Sequence, residues 1–249
     1  MTRLVTFGCS YTQGIGLSPD MANPGTKEKS PLAWPQVTAD LLGIECANMS
    51  EGGCSPKKVA YTITNFDFRP DDIVVVMWPS RSRYVIFGDP DTEWNDGMMQ
   101  ISIQDTQKEP RVRMAHHDSL RHATSYYQDC YTETDSNFMF KAWTTLADTV
   151  VKSQGAKIYH TSTATDGDVF PRITEQEWKA EALPNSAPKI DPSDALSNLF
   201  PELNWVESFT GDKCQFPPSM APCGHWSADT HRDYGNRLSK ILQENISCG

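Results

Sequence analysis

A serine near the start of the chain and a histidine near its end are the side chains best suited to do chemistry together. Ser10 lies in the segment FGCSYTQG, and His225 lies in GHWSADTH. A serine hydroxyl becomes a nucleophile when a neighbouring base removes its proton, and histidine is the side chain most often used for that step. The pair predicts serine-dependent hydrolysis, on the condition that the fold brings these distant segments together.

The residues before Ser10 are typical of a buried strand that ends in a tight turn. Leu4–Phe7 is a short, largely apolar run, Gly8 ends it, and Gly14 permits an open turn further on. In α/β folds the reactive groups lie just beyond the carboxyl ends of the parallel strands. This is the position that the sequence predicts for Ser10.

Strands and helices are predicted to alternate along the rest of the chain. The predicted elements are strands at 4–7, 44–50, 73–78 and 156–161 and helices at 34–43, 56–66, 137–155 and 228–246. The unbroken apolar run IVVVMW at 73–78 is typical of a central parallel strand that is covered on both faces. The alternation predicts an α/β fold in three layers, with a flavodoxin-like, mainly parallel sheet between two layers of helices.

Apolar spacing predicts which helical side chains face the core. The predicted inward-facing residues are Trp34, Val37 and Leu41; Val59, Ile63 and Phe66; Met139, Trp143, Leu146 and Val150; and Leu238, Ile241 and Leu242. Ser227 is predicted to cap the last helix. Residues 79–135 and 162–224 do not follow the alternation and are predicted to be long loop insertions near the site of a single domain, 1–249.

Composition narrows the classes of function. The net charge of −10 argues against a nucleic-acid-binding surface, and no apolar run approaches the roughly 20 residues that span a bilayer, so no membrane partner is expected. The start of the chain lacks the basic and apolar regions of a signal peptide, which predicts a cytoplasmic protein. The odd number of cysteines favours free thiols, although Cys214 and Cys223 could be bridged in a protein released from the cell.

Taken together, segments of the chain resemble the sequence blocks of the SGNH (GDSL-like) hydrolase superfamily. FGCSYTQG resembles the first block, NMSEGGCS the second and GHWSADTHRDYGN the last, and IVVVMWPSRSR falls where the third block lies. They occur in the order of the family and extend over nearly the whole chain. The arrangement also resembles SGNH-type reading frames of phages and marine bacteria.

The resemblance implies roles for particular residues. Ser10 would be the nucleophile and His225 the base. The oxyanion hole would be formed by the backbone N–H groups of Ser10 and Gly53 with the side chain of Ser80. No cofactor or metal is required, and the implied substrate is a small-molecule or carbohydrate ester with a small acyl group such as acetyl.

The chain departs from the family pattern at two positions. Ser80 stands where the third block has asparagine, and Pro222 stands where the last block has the aspartate that orients the base. A serine hydroxyl differs from an amide in reach and direction. The site is therefore predicted to be a Ser–His dyad or an incomplete triad, in which a distant acid, a backbone carbonyl or water holds the imidazole.

Further residues near these blocks are candidates for substrate binding. Trp78 and Trp226 could stack on a sugar ring, and the alternative is that they belong to the core. Arg81 and Arg83 could bind a carboxylate or a sugar acid, or could pair with surface acids.

Rival interpretations remain open. A non-catalytic binding or structural module on the same fold, for example in a virus particle, is favoured by the two departures. A nucleotide-binding domain is disfavoured because the first turn lacks GxGxxG. His116, His117 and Asp118 suggest a metal site only weakly, since adjacent loop histidines are usually solvated.

Overall fold

The computed structural model describes residues 2–17, 28–81, 83–87, 98–101, 122, 125–162 and 226–247. The strands are β1 (Arg3–Phe7), β2 (Glu45–Asn48), β3 (Ile73–Trp78), β4 (Tyr84–Phe87), β5 (Met98–Ile101) and β6 (Lys157–Ser162). The α-helices are α1 (Ser10–Gln13), α2 (Trp34–Leu42), α3 (Pro56–Thr64), α4 (Glu133–Ser153) and α5 (Ala228–Ser247), and a π-helical turn covers Tyr126–Cys130. None of the described helices is long and apolar enough to cross a membrane.

The main sheet is parallel, with the strand order β2-β1-β3-β6. Val5 of β1 lies opposite Ala47 on one side and Val74 on the other, and Val76 of β3 lies opposite His160 of β6. Because the strands are parallel, the loops that leave β1, β2 and β3 emerge at the same edge of the sheet. The predicted α/β class with a mainly parallel sheet is confirmed.

Helices cover both faces of this sheet. Successive strand residues point to opposite faces, so Val74 and Val76 pack toward α3 and α4 while Val75 and Met77 pack toward α2 and α5. Each face therefore has its own apolar cluster, and β3 is buried along its whole length, as its apolar run predicts.

The predicted faces of two helices need correction. In α2, Leu41 is 48% exposed, and Thr38 and Ala39 are buried instead. In α4, Leu146 is 38% exposed, while the buried side includes Thr144 and Ala147. The inward stripe of α4 thus lies one residue later than predicted, because Phe140, Ala147 and Val151 are the side chains that pack in the apolar cluster on this face.

Helix boundaries follow their capping residues. α4 begins at Glu133, earlier than predicted, because Thr132 accepts a hydrogen bond from the backbone N–H of Asp135 at 3.1 Å. Ser227 accepts one from the N–H of Thr230 at 3.3 Å, which confirms its predicted capping role in α5. Leu238 and Leu242 of α5 are buried, as predicted.

The stretch 79–135 contains structure that the sequence analysis did not predict. β4 and β5 form an antiparallel hairpin. Tyr84 of β4 stacks on Tyr126 with ring centroids 4.5 Å apart. Lys57 of α3 joins the hairpin to the main body, because its Nζ donates to the Val85 carbonyl at 3.2 Å.

Candidate active site

Ser10 is the first residue of α1 and follows β1 after a short turn. Cys9 precedes it in an extended conformation, and its carbonyl accepts hydrogen bonds from the backbone N–H groups of Thr12 and Gln13, both at 3.0 Å. The N–H of Gly14, which has a φ of +83°, donates to the Ser10 carbonyl at 2.9 Å. The turn therefore holds Ser10 at the carboxyl edge of the sheet, where its side chain is largely buried.

Gly8 is required for this turn because neighbouring atoms leave no room for a side chain. A Cβ added at Gly8 would lie 2.2 Å from Oγ1 of Thr12 and 2.9 Å from the carbonyl oxygen of Met77. The Ser10 turn is thus packed directly against the end of β3, and glycine at this position follows from the close approach.

Hydrogen bonds attach the loop after β2 to the Ser10 turn. The N–H of Met49 donates to the Thr6 carbonyl at 2.8 Å, and the N–H of Glu51 donates to the Gly8 carbonyl at 3.1 Å. The side chain of Asn48 adds a bond from Nδ2 to the Thr12 carbonyl at 2.9 Å. These bonds place the loop that carries Gly53 beside the turn that carries Ser10.

Gly53 lies in this loop with a φ of +76°, and a Cβ added there would meet nothing within 4 Å. The next residue, Cys54, is buried and belongs to the same apolar cluster as Cys9. Burial raises the pKa of the Cys54 thiol, and the negative charge of Glu51 adds to the rise. Cys9 and Cys54 are therefore packed thiols rather than nucleophiles.

Cationic side chains surround the same loop. Lys29 donates to the Ser50 carbonyl, and Lys58 forms an ion pair with Glu51 at 3.6 Å. Burial lowers the pKa of Lys29, and the nearby charge of Glu51 opposes that shift. Both lysines thus have partners that hold the loop in place.

The third segment follows β3 and is held by backbone contacts at Ser80, Arg81 and Arg83. The N–H of Arg83 donates to the Ser80 carbonyl at 3.1 Å, and Oγ of Ser136 at the start of α4 donates to the Arg81 carbonyl at 3.2 Å. Ser80 and Arg81 are half-buried at the carboxyl edge of the sheet. α4 therefore fixes the backbone of the turn that carries both predicted site residues.

Trp78 lies in the core, which is the alternative considered for it above. The side chain is 1% exposed and leaves no ring face for a substrate. Its Nε1 donates to Nδ1 of His160 at 3.0 Å, and Nε2 of His160 lies 3.4 Å from Oδ1 of Asp148. Burial lowers the pKa of His160, and the hydrogen bond with Asp148 opposes that shift. This network anchors the end of β3 to β6 and α4.

The last segment contacts the Ser10 turn through two aromatic rings. The ring of Trp226 lies 4.9 Å from the ring of Tyr11, measured between centroids, and Trp226 is 2% exposed. Tyr11 follows Ser10 in the chain, and Trp226 follows His225. His225 itself lies outside the described residues, so its position relative to Ser10 stays a prediction.

His231 connects helices α5 and α2. It is fully buried, and its Nδ1 accepts a hydrogen bond from the N–H of Trp34, the first residue of α2, at 3.1 Å. This bond satisfies an N–H group that α2 itself leaves without an acceptor. His231 is thus a structural residue that fixes α5, and with it Trp226, against α2.

Solved structures with a similar fold include esterases. A carbohydrate esterase family 2 enzyme with a carbohydrate-binding domain from Corynascus thermopiles superposes with a TM-score of 0.51 at 15% identity, over 98% of this chain and 66% of that chain. Est24, a carbohydrate acetylesterase from Sinorhizobium meliloti, has a TM-score of 0.51 at 11% identity, over 98% and 99% of the chains. Est2A, an acetyl xylan esterase from Butyrivibrio proteoclasticus, has a TM-score of 0.51 at 11% identity, over 98% and 64%.

The chain has the SGNH hydrolase fold. Sequence comparison finds no such similarity. No model of a known protein family matches the chain, and no curated protein does. The chain spans about two thirds of the length of the Corynascus and Butyrivibrio enzymes.

Within the SGNH fold, the structure adds residues that the sequence analysis missed. Asn48 and Lys29 hold the second block in place, and Tyr11 contacts the segment that carries the predicted base. The signal for Tyr11 was its position directly after Ser10. The roles of Asn48 and Lys29 depend on contacts between distant segments and have no local signal.

Other predicted features lie outside the described residues. These are the His116, His117 and Asp118 group, the Cys214–Cys223 pair and Pro222. Within the part of the chain that the structure describes, no three histidine, cysteine or acidic side chains are grouped as metal ligands would be.

Proposed function

We propose that this chain is a serine esterase that hydrolyses small acyl esters, with acetyl esters of carbohydrates as the expected natural class. The observation that carries the proposal is the contact between Tyr11 and Trp226. These residues directly follow Ser10 and His225, and their contact brings the two predicted reactive segments to the same place.

The proposed reaction has two steps. His225 takes the proton from Ser10 as Oγ attacks the carbonyl carbon of the ester, and it returns the proton to the leaving alcohol. Water, activated by the same imidazole, then hydrolyses the acyl-enzyme and restores Ser10. An ester is favoured over an amide because an alkoxide leaves without the fuller protonation that an amine requires.

The oxyanion of each tetrahedral intermediate would be bound by the N–H groups of Ser10 and Gly53 and by the hydroxyl of Ser80. Support for this set comes from the hydrogen bonds that fix the second block against the first. Ser80 lies in the segment that follows β3, at the same edge of the sheet as Ser10 and Gly53. Each such donor typically contributes about 3–4 kcal/mol to transition-state stabilisation.

The base is proposed to act without an adjacent aspartate. No acidic residue occurs from Gln215 to Trp226, so the acid of a complete triad would have to come from elsewhere in the chain. A Ser–His dyad can still cleave activated and acetyl esters, because the oxyanion hole and substrate binding alone leave a residual rate about 10³–10⁴-fold above that in water when a triad member is absent.

The carbohydrate part of the proposal rests on the structural neighbours, which include a carbohydrate acetylesterase and an acetyl xylan esterase. Trp226 is 2% exposed and packs on Tyr11, so it is proposed to position the segment that carries His225 rather than to stack on a sugar ring. Arg81 is proposed to contact the substrate at the mouth of the site.

Hydrolysis of p-nitrophenyl acetate by the wild type, Ser10→Ala and His225→Ala tests the proposal. We expect each substitution to lower kcat at least about 1,000-fold, since nucleophile and base act as a unit. Ser239→Ala is the matched control, because Ser239 is also buried but donates to the Asn236 carbonyl within α5. Equal rates for Ser10→Ala and the wild type would overturn the proposal.

The second candidate function is a non-catalytic binding or structural module. The serine at position 80 and the proline at position 222 favour it, because both replace residues that assist catalysis in the family. This candidate predicts that the wild type hydrolyses the ester no faster than Ser10→Ala does.

A further inference from the structure

We propose that Arg83 binds a carboxylate of the ester, so that this site selects anionic substrates. The inference rests on the proposed esterase function and specifies its substrate class. It starts from the position and the bonding of the Arg83 guanidinium.

Arg83 closes the turn that carries Ser80 and directly precedes the strand that contacts α3. Its backbone N–H donates to the Ser80 carbonyl at 3.1 Å, which places it at the end of the turn after β3. The following residues contact α3, because Lys57 Nζ lies 3.3 Å from the Tyr84 hydroxyl and 3.2 Å from the Val85 carbonyl. α3 begins directly after the loop that carries Gly53.

The guanidinium lacks the partners that a structural arginine has. Nη1 of Arg83 is buried and has no hydrogen-bond acceptor, and Arg83 forms no ion pair with another described residue. Arg3 shows the contrast, since it binds both carboxylate oxygens of Asp72, at 2.8 and 2.9 Å, and the Asp67 carbonyl at 3.0 Å. Buried donors are nearly always satisfied, so the unbonded Nη1 of this half-buried arginine sets Arg83 apart from Arg3 and leaves its guanidinium available to an acceptor.

The neighbouring lysines, unlike Arg83, each have a hydrogen-bond or ion-pair partner. Lys58 pairs with Glu51, and Lys29 donates to the Ser50 carbonyl. The positive charges of Lys58 and Arg83 both oppose the rise in the pKa of Cys54, the residue next to Gly53. Arg83 is thus a half-buried cation beside the proposed oxyanion loop.

The chemistry of the Arg83 guanidinium favours a carboxylate as its ligand. A guanidinium is planar, stays charged and offers a fork of N–H donors that matches a carboxylate with two parallel hydrogen bonds. An ester that carries a carboxylate, on its acyl side or on its alcohol side, would therefore be held by Arg83 while its carbonyl faces Ser10. An O-acetylated sugar acid is an example of the alcohol-side case.

Paired substrates test the proposal. 4-Acetoxybenzoate is compared with its methyl ester for a carboxylate on the alcohol side, and mono-4-nitrophenyl succinate with 4-nitrophenyl butyrate for one on the acyl side. We expect the wild type to prefer the anionic member of one pair by about 10- to 100-fold in kcat/KM, the range for a charge-assisted hydrogen bond. Arg83→Gln should lose that preference, and Arg83→Lys should keep part of it.

Arg69→Gln is the matched control, because Arg69 is half exposed and lies 4.0 Å from Glu45, away from the carboxyl edge. It should retain the full preference. A wild-type ratio near one for both pairs, or a ratio that Arg83→Gln and Arg83→Lys leave unchanged, would overturn the proposal.

A binding measurement separates this proposal from the esterase function. Isothermal titration of the anionic member of the preferred pair into Ser10→Ala, with and without Arg83→Gln, reports carboxylate recognition without the Ser10 hydroxyl. Binding that is at least about tenfold weaker in the double variant supports the Arg83 proposal even if hydrolysis proves independent of Ser10. Equal binding in both proteins contradicts it.

Discussion

At the scale of single residues, Gly53 combines a left-handed backbone conformation with a proposed role as a donor in the oxyanion hole. Its φ is +76°, and the space beside it is open. An alanine there would strain the left-handed backbone by about 1–2 kcal/mol and turn its N–H group as the strain relaxes. We expect Gly53→Ala to lower kcat for p-nitrophenyl acetate by about 100-fold or more with little change in KM, measured by steady-state kinetics.

Gly43→Ala is the matched control for this substitution. Gly43 ends α2 with a φ of +66° and also has nothing within 4 Å of an added Cβ, so the conformational strain is similar. The two variants should show similar losses of thermal stability, and only Gly53→Ala should lose activity. An equal fall in kcat would show that Gly53 has no special part in the reaction.

At the scale of elements, a buried ion pair joins β1 to the residue that precedes β3. Nε of Arg3 lies 2.8 Å from Oδ1 of Asp72, and the Asp72 side chain is fully buried. Asp72 also accepts a bond from the N–H of Arg69 at 2.8 Å. Removing one charge from a buried pair leaves the other uncompensated. We expect Asp72→Asn to lower the free energy of unfolding by about 3 kcal/mol, measured by urea denaturation.

Asp229→Asn provides the comparison for the ion pair. Asp229 lies 2.9 Å from Arg232 in α5, but their side chains are 82% and 63% exposed. Solvent screens such a pair, so its loss should cost less than about 1 kcal/mol. Similar losses for the two variants would mean that burial of the Arg3–Asp72 pair adds nothing to its strength.

The elements themselves were mostly predictable from local pattern. The apolar run of β3 and the glycine that ends α2 each determine a boundary without help from the rest of the fold. The α4 face was placed one residue early because periodicity favours large side chains such as Leu146, whereas packing selected Ala147. The β4–β5 hairpin was missed because its stabilising contacts, such as Tyr84 with Tyr126, are distant in sequence.

At the scale of the whole molecule, parallel topology explains why a site was predictable at all. Once β1, β2 and β3 are adjacent and parallel, Ser10, Gly53 and Ser80 must leave the sheet at one edge. What the sequence alone did not reveal is how these loops are held together. The Asn48 bond to Thr12 and the Tyr11 contact with Trp226 exist only in the folded chain.

Labelling with a fluorophosphonate tests the central claim, that Ser10 is an activated nucleophile, more directly than any rate. The reagent forms a stable bond only with a serine whose proton is removed by a base, and peptide mapping by mass spectrometry identifies that serine. We predict stoichiometric labelling at Ser10, with none in Ser10→Ala and little in His225→Ala. Labelling at another serine, or equal labelling of Ser10→Ala and the wild type, would contradict the account.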